Sequence, residues 1–351
     1  MLEGKLIMLR GGWRGVAIAT MVLVMAASHA QSEPERPTVS DAQLDPKLTI
    51  LGHRLLSSLK NGASGNGEVA LLSALSGGID YLLPSVTENA PDWLKRFEFE
   101  LEVHENIKPE WSVLTVQPFY ESDAFQDTIF TQFSQRRYDK FGESRDVSNI
   151  GLGYRRLLLG NAGLIGANGF FDYEWDNHHQ RASVGIEAKW AGLDFSANKY
   201  FGISSAHTVG SAGAEEEPLD GHDIELTAQL PYLPWARIRG RRYWWQTVEA
   251  AEDVKGWSGS IEMDLHQNLQ IEGGVVSDNF IKDGNDNEGF VMVRFSMDLG
   301  ENRPVATSNR MIDSVAWHMR DMKDYRLDKV RRENKIIVER RSSGVVIARG
   351  T

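Results

Sequence analysis

Phe97-Glu-Phe-Glu-Leu-Glu-Val103 alternates apolar and acidic residues without a break. Only a backbone whose successive side chains point to opposite faces sorts such a run into an apolar side (Phe97, Phe99, Leu101, Val103) and a charged side (Glu98, Glu100, Glu102). That backbone is a β-strand. The same period returns along the chain. Val184, Ile186, Ala188 and Trp190 oppose Ser183, Gly185, Glu187 and Lys189, and Ile224, Leu226, Ala228 and Leu230 oppose Asp223, Glu225, Thr227 and Gln229. Trp257, Gly259, Ile261, Met263 and Leu265 oppose Ser258, Ser260, Glu262 and Asp264, while Leu269, Ile271, Gly273 and Val275 oppose Gln270, Glu272 and Gly274. The last apolar row is Val291, Val293, Phe295, Met297 and Leu299.

These runs predict twelve strands, near 97–104, 111–120, 127–138, 146–158, 163–174, 180–190, 193–202, 222–230, 236–245, 256–266, 269–278 and 288–299. The second and third alternate less regularly. Most lie near the ten-residue length of a tilted membrane strand. Every other connection is short: Glu121–Gln126, Leu159–Ala162, Ala191-Gly192, Pro231–Trp235 and Gln267-Asn268. The intervening ones are mostly longer and more polar, above all Ile203–Gly221 and Gln246–Lys255. Outer-membrane barrels have short periplasmic turns and long surface loops, whereas a soluble sandwich has no reason for such parity. The fold class expected is therefore all-β, a twelve-stranded antiparallel transmembrane barrel over residues 96–300, with both barrel ends on the periplasmic side.

The polar faces fit a narrow lumen. Acidic Glu98, Glu100, Glu102, Glu225, Glu262 and Glu272 and basic Arg237, Arg239 and Arg241 are expected to line the pore and pair across it. Val291, Val293, Phe295 and Met297 are expected to face lipid, with Trp111, Tyr154, Trp190, Trp244, Trp245 and Trp257 forming aromatic girdles at strand ends. A mean hydropathy of −0.36 excludes a bundle of membrane-spanning helices, and it is misleading for a barrel, which averages a wet and a lipid face residue by residue. The net charge of −11 argues against nucleic acid as a partner. With no cysteine, disulfides, thiol nucleophiles and cysteine-zinc sites are excluded, and no other residue cluster suggests a metal or cofactor.

At the start of the chain, Lys5, Arg10 and Arg14 precede the apolar run Val16–Ala27 and the small residues of Ser28-His29-Ala30. This order predicts a signal peptide over residues 1–30 cleaved after Ala30. Residues 31–95 read as a periplasmic, partly helical segment: Leu48, Leu51, Leu55 and Leu59 recur at helical spacing, and further short helices are expected over 68–75 and 90–96. Residues 301–351 read as a linker and short C-terminal stub. Arg326, Lys329, Arg331, Arg332, Lys335, Arg340 and Arg341 make its second half basic. Such a run is either a solvated tail or a segment that returns through the acidic pore; charge complementarity favours the pore linker, carried by Lys329, Arg331, Arg332 and Lys335.

An enzyme would need an acid–imidazole pair, and His178 and His179 with Asp172, Asp176 or Glu174, or His222 with Asp223, are the candidates. None repeats a catalytic spacing, so they read as polar loop residues and no catalytic role is assigned. The acidic run Glu215–Glu217 reads as a solvated anionic rim of the longest loop, expected to be open to protease.

The run Asn149-Ile-Gly-Leu-Gly-Tyr-Arg-Arg156, then Gly166-Ala-Asn-Gly-Phe-Phe-Asp-Tyr173, Val184-Gly-Ile-Glu-Ala-Lys-Trp190, Leu193–Phe201, Leu230-Pro-Tyr-Leu-Pro234 and Lys329–Val338 together resemble the intimin/invasin family, the inverse autotransporters. The likeness spans Ala90 to Arg341. It implies a barrel in the bacterial outer membrane, with membrane lipid, the barrel-assembly machinery and periplasmic chaperones as partners. It also implies a linker that enters the pore as a hairpin and exports a C-terminal passenger toward a host or neighbouring cell surface. About ten residues follow Arg341, too few for a domain. A passive porin, or a surface protein binding through its own loops, is the alternative.

Overall fold

In the computed structural model, the described residues are 91–104, 110–210, 213–266, 269–279, 287–296, 304, 312–342 and 345–348. The expected signal peptide with its cut after Ala30, the helices before residue 90, and Met297 lie outside them.

A short helix α1 (Asp92–Lys95) leads into β1 (Phe97–His104). There follow β2 (Glu110–Glu121), β3 (Asp127–Lys140), β4 (Glu143–Leu158), β5 (Gly163–Glu174), β6 (Gln180–Trp190) and β7 (Leu193–Gly202). Two short strands, β8 (His207–Val209) and β9 (Ala214–Pro218), precede β10 (Asp220–Leu230), β11 (Leu233–Gln246), β12 (Val254–His266), β13 (Leu269–Asp278) and β14 (Glu288–Ser296). Finally come β15 (Val338–Ser342) and β16 (Val345–Ala348).

The twelve long strands form a closed antiparallel ring in the order β1-β14-β13-β12-β11-β10-β7-β6-β5-β4-β3-β2. Closure comes from β1 against β14, from Glu98 opposite Ser296 to His104 opposite Phe290. A closed ring leaves no unpaired edge, the condition for crossing a bilayer with strands. The remaining four make a separate sheet in the order β16-β15-β9-β8.

Burial follows the period-two reading. Along β4, Asn149, Gly151, Gly153, Arg155 and Leu157 are buried while Ile150, Leu152 and Tyr154 stand outward, Leu152 at 59% exposure. Val291 on β14 is 50% exposed, and Val293 and Phe295 share its face, half-buried. Several strand residues depart from expectation. Trp245 was expected in a girdle, but it is fully buried and packs inside the ring with Tyr200, Leu219, Tyr243, Val254 and Ile337. Leu114 and Val116 of β2 also face inward, onto Phe130, Phe170 and Val330. An apolar cluster inside the lumen is why β2 alternates poorly in sequence. The strand also shifts register between Pro118 and Tyr120, where proline offers no N–H to the ladder.

The parity of the connections also has one exception. β3 and β4 run on to Lys140 opposite Glu143, so this outer connection is a two-residue turn rather than a loop. Both turn residues, Phe141 (φ 55°) and Gly142 (φ 76°), are left-handed, as the twist of a tight hairpin demands.

Candidate functional site

The site is the lumen and the segment that fills it. Residues 312–325 cross the short-turn end of the ring: Asp313 N–H donates to Tyr232 O (2.8 Å), Met322 N–H to Asn161 O (2.8 Å), and Arg320 pairs with Asp194. The chain then passes once through the interior and leaves at the other end, where Leu219 N–H donates to Ile337 O (2.8 Å) and β15 pairs with β9. The hairpin that follows, β15 with β16, lies at this far end.

From Arg326 to Ile337 the linker belongs to no β-ladder, so its peptide groups need other partners. Wall side chains supply them. Arg155 Nη1 donates to the carbonyls of Arg326 (2.8 Å) and Asp328 (2.6 Å), Asn198 to that of Arg331 (2.9 Å) and Arg181 to that of Glu333 (2.7 Å). Val330 N–H donates to Gln132 Oε1 (2.8 Å) and Glu333 N–H to the Tyr200 hydroxyl (2.7 Å).

Charges are matched one by one. Lys329 pairs with Glu100 and lies 3.4 Å from Glu98. Arg331 holds Glu262 through two bonds of 2.5 and 2.9 Å, and Lys335 meets Glu110 at 2.6 Å. Arg332 grips Asp172, and Glu333 receives Arg241 at 2.9 Å. The wall also pairs with itself: Arg239 bridges Glu225 (2.6 Å) and Glu272 (2.9 Å), Arg237 reaches Glu262 (3.4 Å), and Arg136 joins Glu100 (2.8 Å) to Glu102 (3.2 Å). Further pairs link these groups inside the ring: Arg294 meets Glu100 (2.8 Å) and lies 3.9 Å from Glu272, and Arg331 lies 3.9 Å from Glu225 as well as on Glu262. Because each charge is desolvated, removing one partner costs far more than a surface pair would.

Glu110 and the arginines Arg136, Arg155, Arg181 and Arg294 are not singled out by the sequence, and Asp172 and Asp223 enter there as enzyme candidates rather than as pore residues; all are buried inward. Arg294 and Asp172 fall on the inward parity of predicted strands, so strict alternation would have found them.

Apolar contacts anchor the linker at both ends and in the middle. Met322 and Tyr325 pack with Leu157 and Leu164, Val330 with the Phe130 cluster, and Ile336 and Val338 with Tyr138 and Val147. Gly151 and Gly153 make the central contact feasible. A Cβ at Gly151 would overlap the Phe170 ring and one at Gly153 the Phe130 ring. With both rings flat against β4, Arg332 stacks on Phe170 and Arg155 on Phe130, each 4.3 Å from the ring centre.

At the far end, Glu215 is exposed and Glu217 half-buried, as a solvated rim would have them, but Glu216 between them is not. β9 carries Glu216 into the mouth of the ring, fully buried. Its carboxylate accepts from Arg145 (2.7 and 2.8 Å), and His179 Nε2 (3.1 Å) and Arg340 Nε (2.7 Å) lie against it. Burial raises its affinity for a proton, but the bonds from His179 and Arg145 and the nearby charges outweigh burial and hold the carboxyl down at about 2. Thus the barrel wall, the longest loop and the linker meet on one carboxylate.

The enzyme candidates do not converge. Asp172 is engaged by Arg181 and Arg332, and Asp176 accepts the Asp146 N–H (2.6 Å). His178 faces Tyr173 (2.7 Å), while His222 stands outward from the ring with Asp223 inside it.

Comparison with known proteins agrees with this architecture. The chain is similar to Invasin of Yersinia enterocolitica, 31% identical over 172 residues, covering 46% of this chain and 20% of that protein. It is 25% identical over 232 residues to Intimin of Escherichia coli O157:H7, covering 65% of this chain and 24% of Intimin. The chain therefore spans a quarter or less of the length of these relatives. A solved chain reported under "Unveiling the Mechanism Behind the in-meso Crystallization of Membrane Proteins" shares the fold at a TM-score of 0.57 and 21% identity, covering 70% of this chain and 98% of its own. The family model "Inverse autotransporter, beta-domain" matches residues 57–334, most of the chain and nearly all of the ring and linker just described, so the chain belongs to the inverse autotransporter family of outer-membrane β-barrels.

Proposed function

We propose that this barrel anchors and exports its own C-terminal segment, with the linker held in the pore as the trace of that passage. The observation that carries the reading is the single crossing from the short-turn end, at Met322 beside Asn161, to the long-loop end, where β15 joins β9. In this reading the short turns face the periplasm, the segment before residue 96 is periplasmic once the signal peptide is cleaved after Ala30, and the β15–β16 hairpin stands at the cell surface. Insertion uses the barrel-assembly machinery and periplasmic chaperones. This reading needs no hydrolytic step: the lumen acids are engaged by arginines and lysines, and Glu216, which does meet the His179 imidazole, is held by Arg145 and Arg340 as well. Contact with a host or neighbouring cell surface belongs to whatever follows the hairpin, by analogy with the far longer relatives.

An epitope placed after Thr351 tests this directly. It is expected to be reached by antibody and removed by protease on intact cells; an epitope detected only after the outer membrane is permeabilised would overturn the reading. Deleting residues 322–351 is expected to convert a silent barrel into a conducting one in planar bilayers. Wide conductance that is the same with and without the deletion would make the protein a porin instead.

A further inference from the structure

The outer face of the ring carries its own charge pattern. Lys199, His222, Arg242 and Lys255 face outward on four successive neighbours in the ring, β7, β10, β11 and β12. Register aligns them: Lys199 lies opposite His222, His222 opposite Trp244, and Trp244 opposite Lys255, with Arg242 one outward position along β11. Four neighbouring strands spread this row across about 14 Å. Trp244 stacks on His222 with ring centres 4.8 Å apart and planes 18° apart, and the Arg242 guanidinium lies 5.4 Å from its indole. All of these residues sit toward the long-connection end of their strands.

Cations on a lipid-facing surface need an anion, since hydrocarbon offers none. Elsewhere on this surface the protein provides it: outward Arg137 is bound by Asp146 (2.8 and 2.6 Å), and Arg156 lies 3.4 Å from Asp127. Among the described residues no carboxylate lies within ion-pair distance of Lys199, Arg242 or Lys255. Three cations in one row without a protein carboxylate make a positive patch at headgroup depth, and phosphate is the anion a membrane presents there. The flat Trp244 surface beside them suits the apolar face of a sugar ring.

We propose that Lys199, His222, Arg242, Trp244 and Lys255 form a binding site for a phosphorylated glycolipid headgroup of the outer leaflet. The site goes beyond the export reading but rests on its orientation, in which the long-connection end of the barrel meets the outer leaflet. The test is native mass spectrometry of the full chain in detergent with diphosphorylated lipid A as the probe. The triple variant Lys199→Gln/Arg242→Gln/Lys255→Gln is expected to bind it at least tenfold more weakly, while Arg156→Gln at the opposite rim binds as the parent does. Lipid A stripped of phosphate is expected to bind parent and triple variant alike, and inorganic phosphate at millimolar concentration is expected not to displace the lipid. Equal affinity of parent and triple variant for the diphosphorylated lipid would overturn the site, and displacement by inorganic phosphate would make it a free-anion site. Heat-modifiable migration reports separately whether each variant still forms a barrel; if the triple variant does not, Arg242→Gln and Lys255→Gln singly are expected to lose about threefold each, and no loss in either would also overturn the site.

Discussion

Arg332 in the linker and Asp172 on β5 form a bidentate pair, Nη1 to Oδ1 at 3.0 Å and Nη2 to Oδ2 at 2.7 Å, with neither side chain reached by solvent. Asp172 also accepts from Arg181 Nε (2.8 Å) and Asn149 Nδ2 (2.7 Å), so the carboxylate joins three elements. Asp172→Asn is expected to loosen the linker by about 3–5 kcal/mol, because two guanidiniums remain buried without their counter-charge. Proteolysis of the folded protein in detergent reads this as faster cleavage between residues 322 and 341. A cycle with Arg332→Gln should return a coupling of about 0.5–3 kcal/mol.

Gly151 and Gly153 are spaces for rings rather than flexible joints. Gly153→Val is expected to displace Phe130 and with it the Arg155 stack, reducing the heat-modifiable fraction. Phe130→Ala added to that variant should restore part of the fraction, since the overlapping ring is gone. If the single variant assembles like the parent, the rings have room elsewhere and the packing account is wrong.

Leu226 is near the middle of β10 and 52% exposed on the outer face. Leu226→Arg is expected to cost about 2–4 kcal/mol, the penalty for a cation at mid-bilayer. Thermal unfolding in lipid vesicles measures it. Phe295→Asp, close to the short-turn end of β14, should cost less, because water and headgroups are near.

Acid should open the mouth of the ring. Glu216 is held at about 2, below the unfolded glutamate value of about 4.3. A depressed folded pKa contributes stability that is fully present above about 4.3 and is lost as pH falls through about 2. Hydrogen exchange at the Leu219 amide, which bonds to Ile337 O, is expected to accelerate over that interval in the parent. Glu216→Gln should exchange faster at neutral pH and show no further acceleration across the same interval.

Strand number, strand order along the chain and most inward-facing charges were legible because period two is local. Glu98, Glu100 and Glu102 against Phe97, Phe99 and Leu101 need no knowledge of the rest of the molecule. The departures lie where two segments distant in sequence meet inside the ring. Leu114, Val116 and Trp245 break the outward-apolar rule because Val330 or Ile337 waits for them in the lumen, and a strand's own pattern does not record that. Glu216 was misread for the same reason: an acidic loop looks solvated until Arg145 and Arg340 are brought to it.

By itself, then, the sequence determined a ring of twelve strands with an acidic interior and a basic segment able to complement it, since alternation and charge are carried by neighbours along the chain. Only the tertiary structure decided that this segment crosses the lumen once, which acid each cation meets, and that the longest loop folds inward to join β15. Those choices are made between residues such as Asp172 and Arg332, 160 positions apart, whose meeting is set by closure of the ring and its register rather than by any local preference.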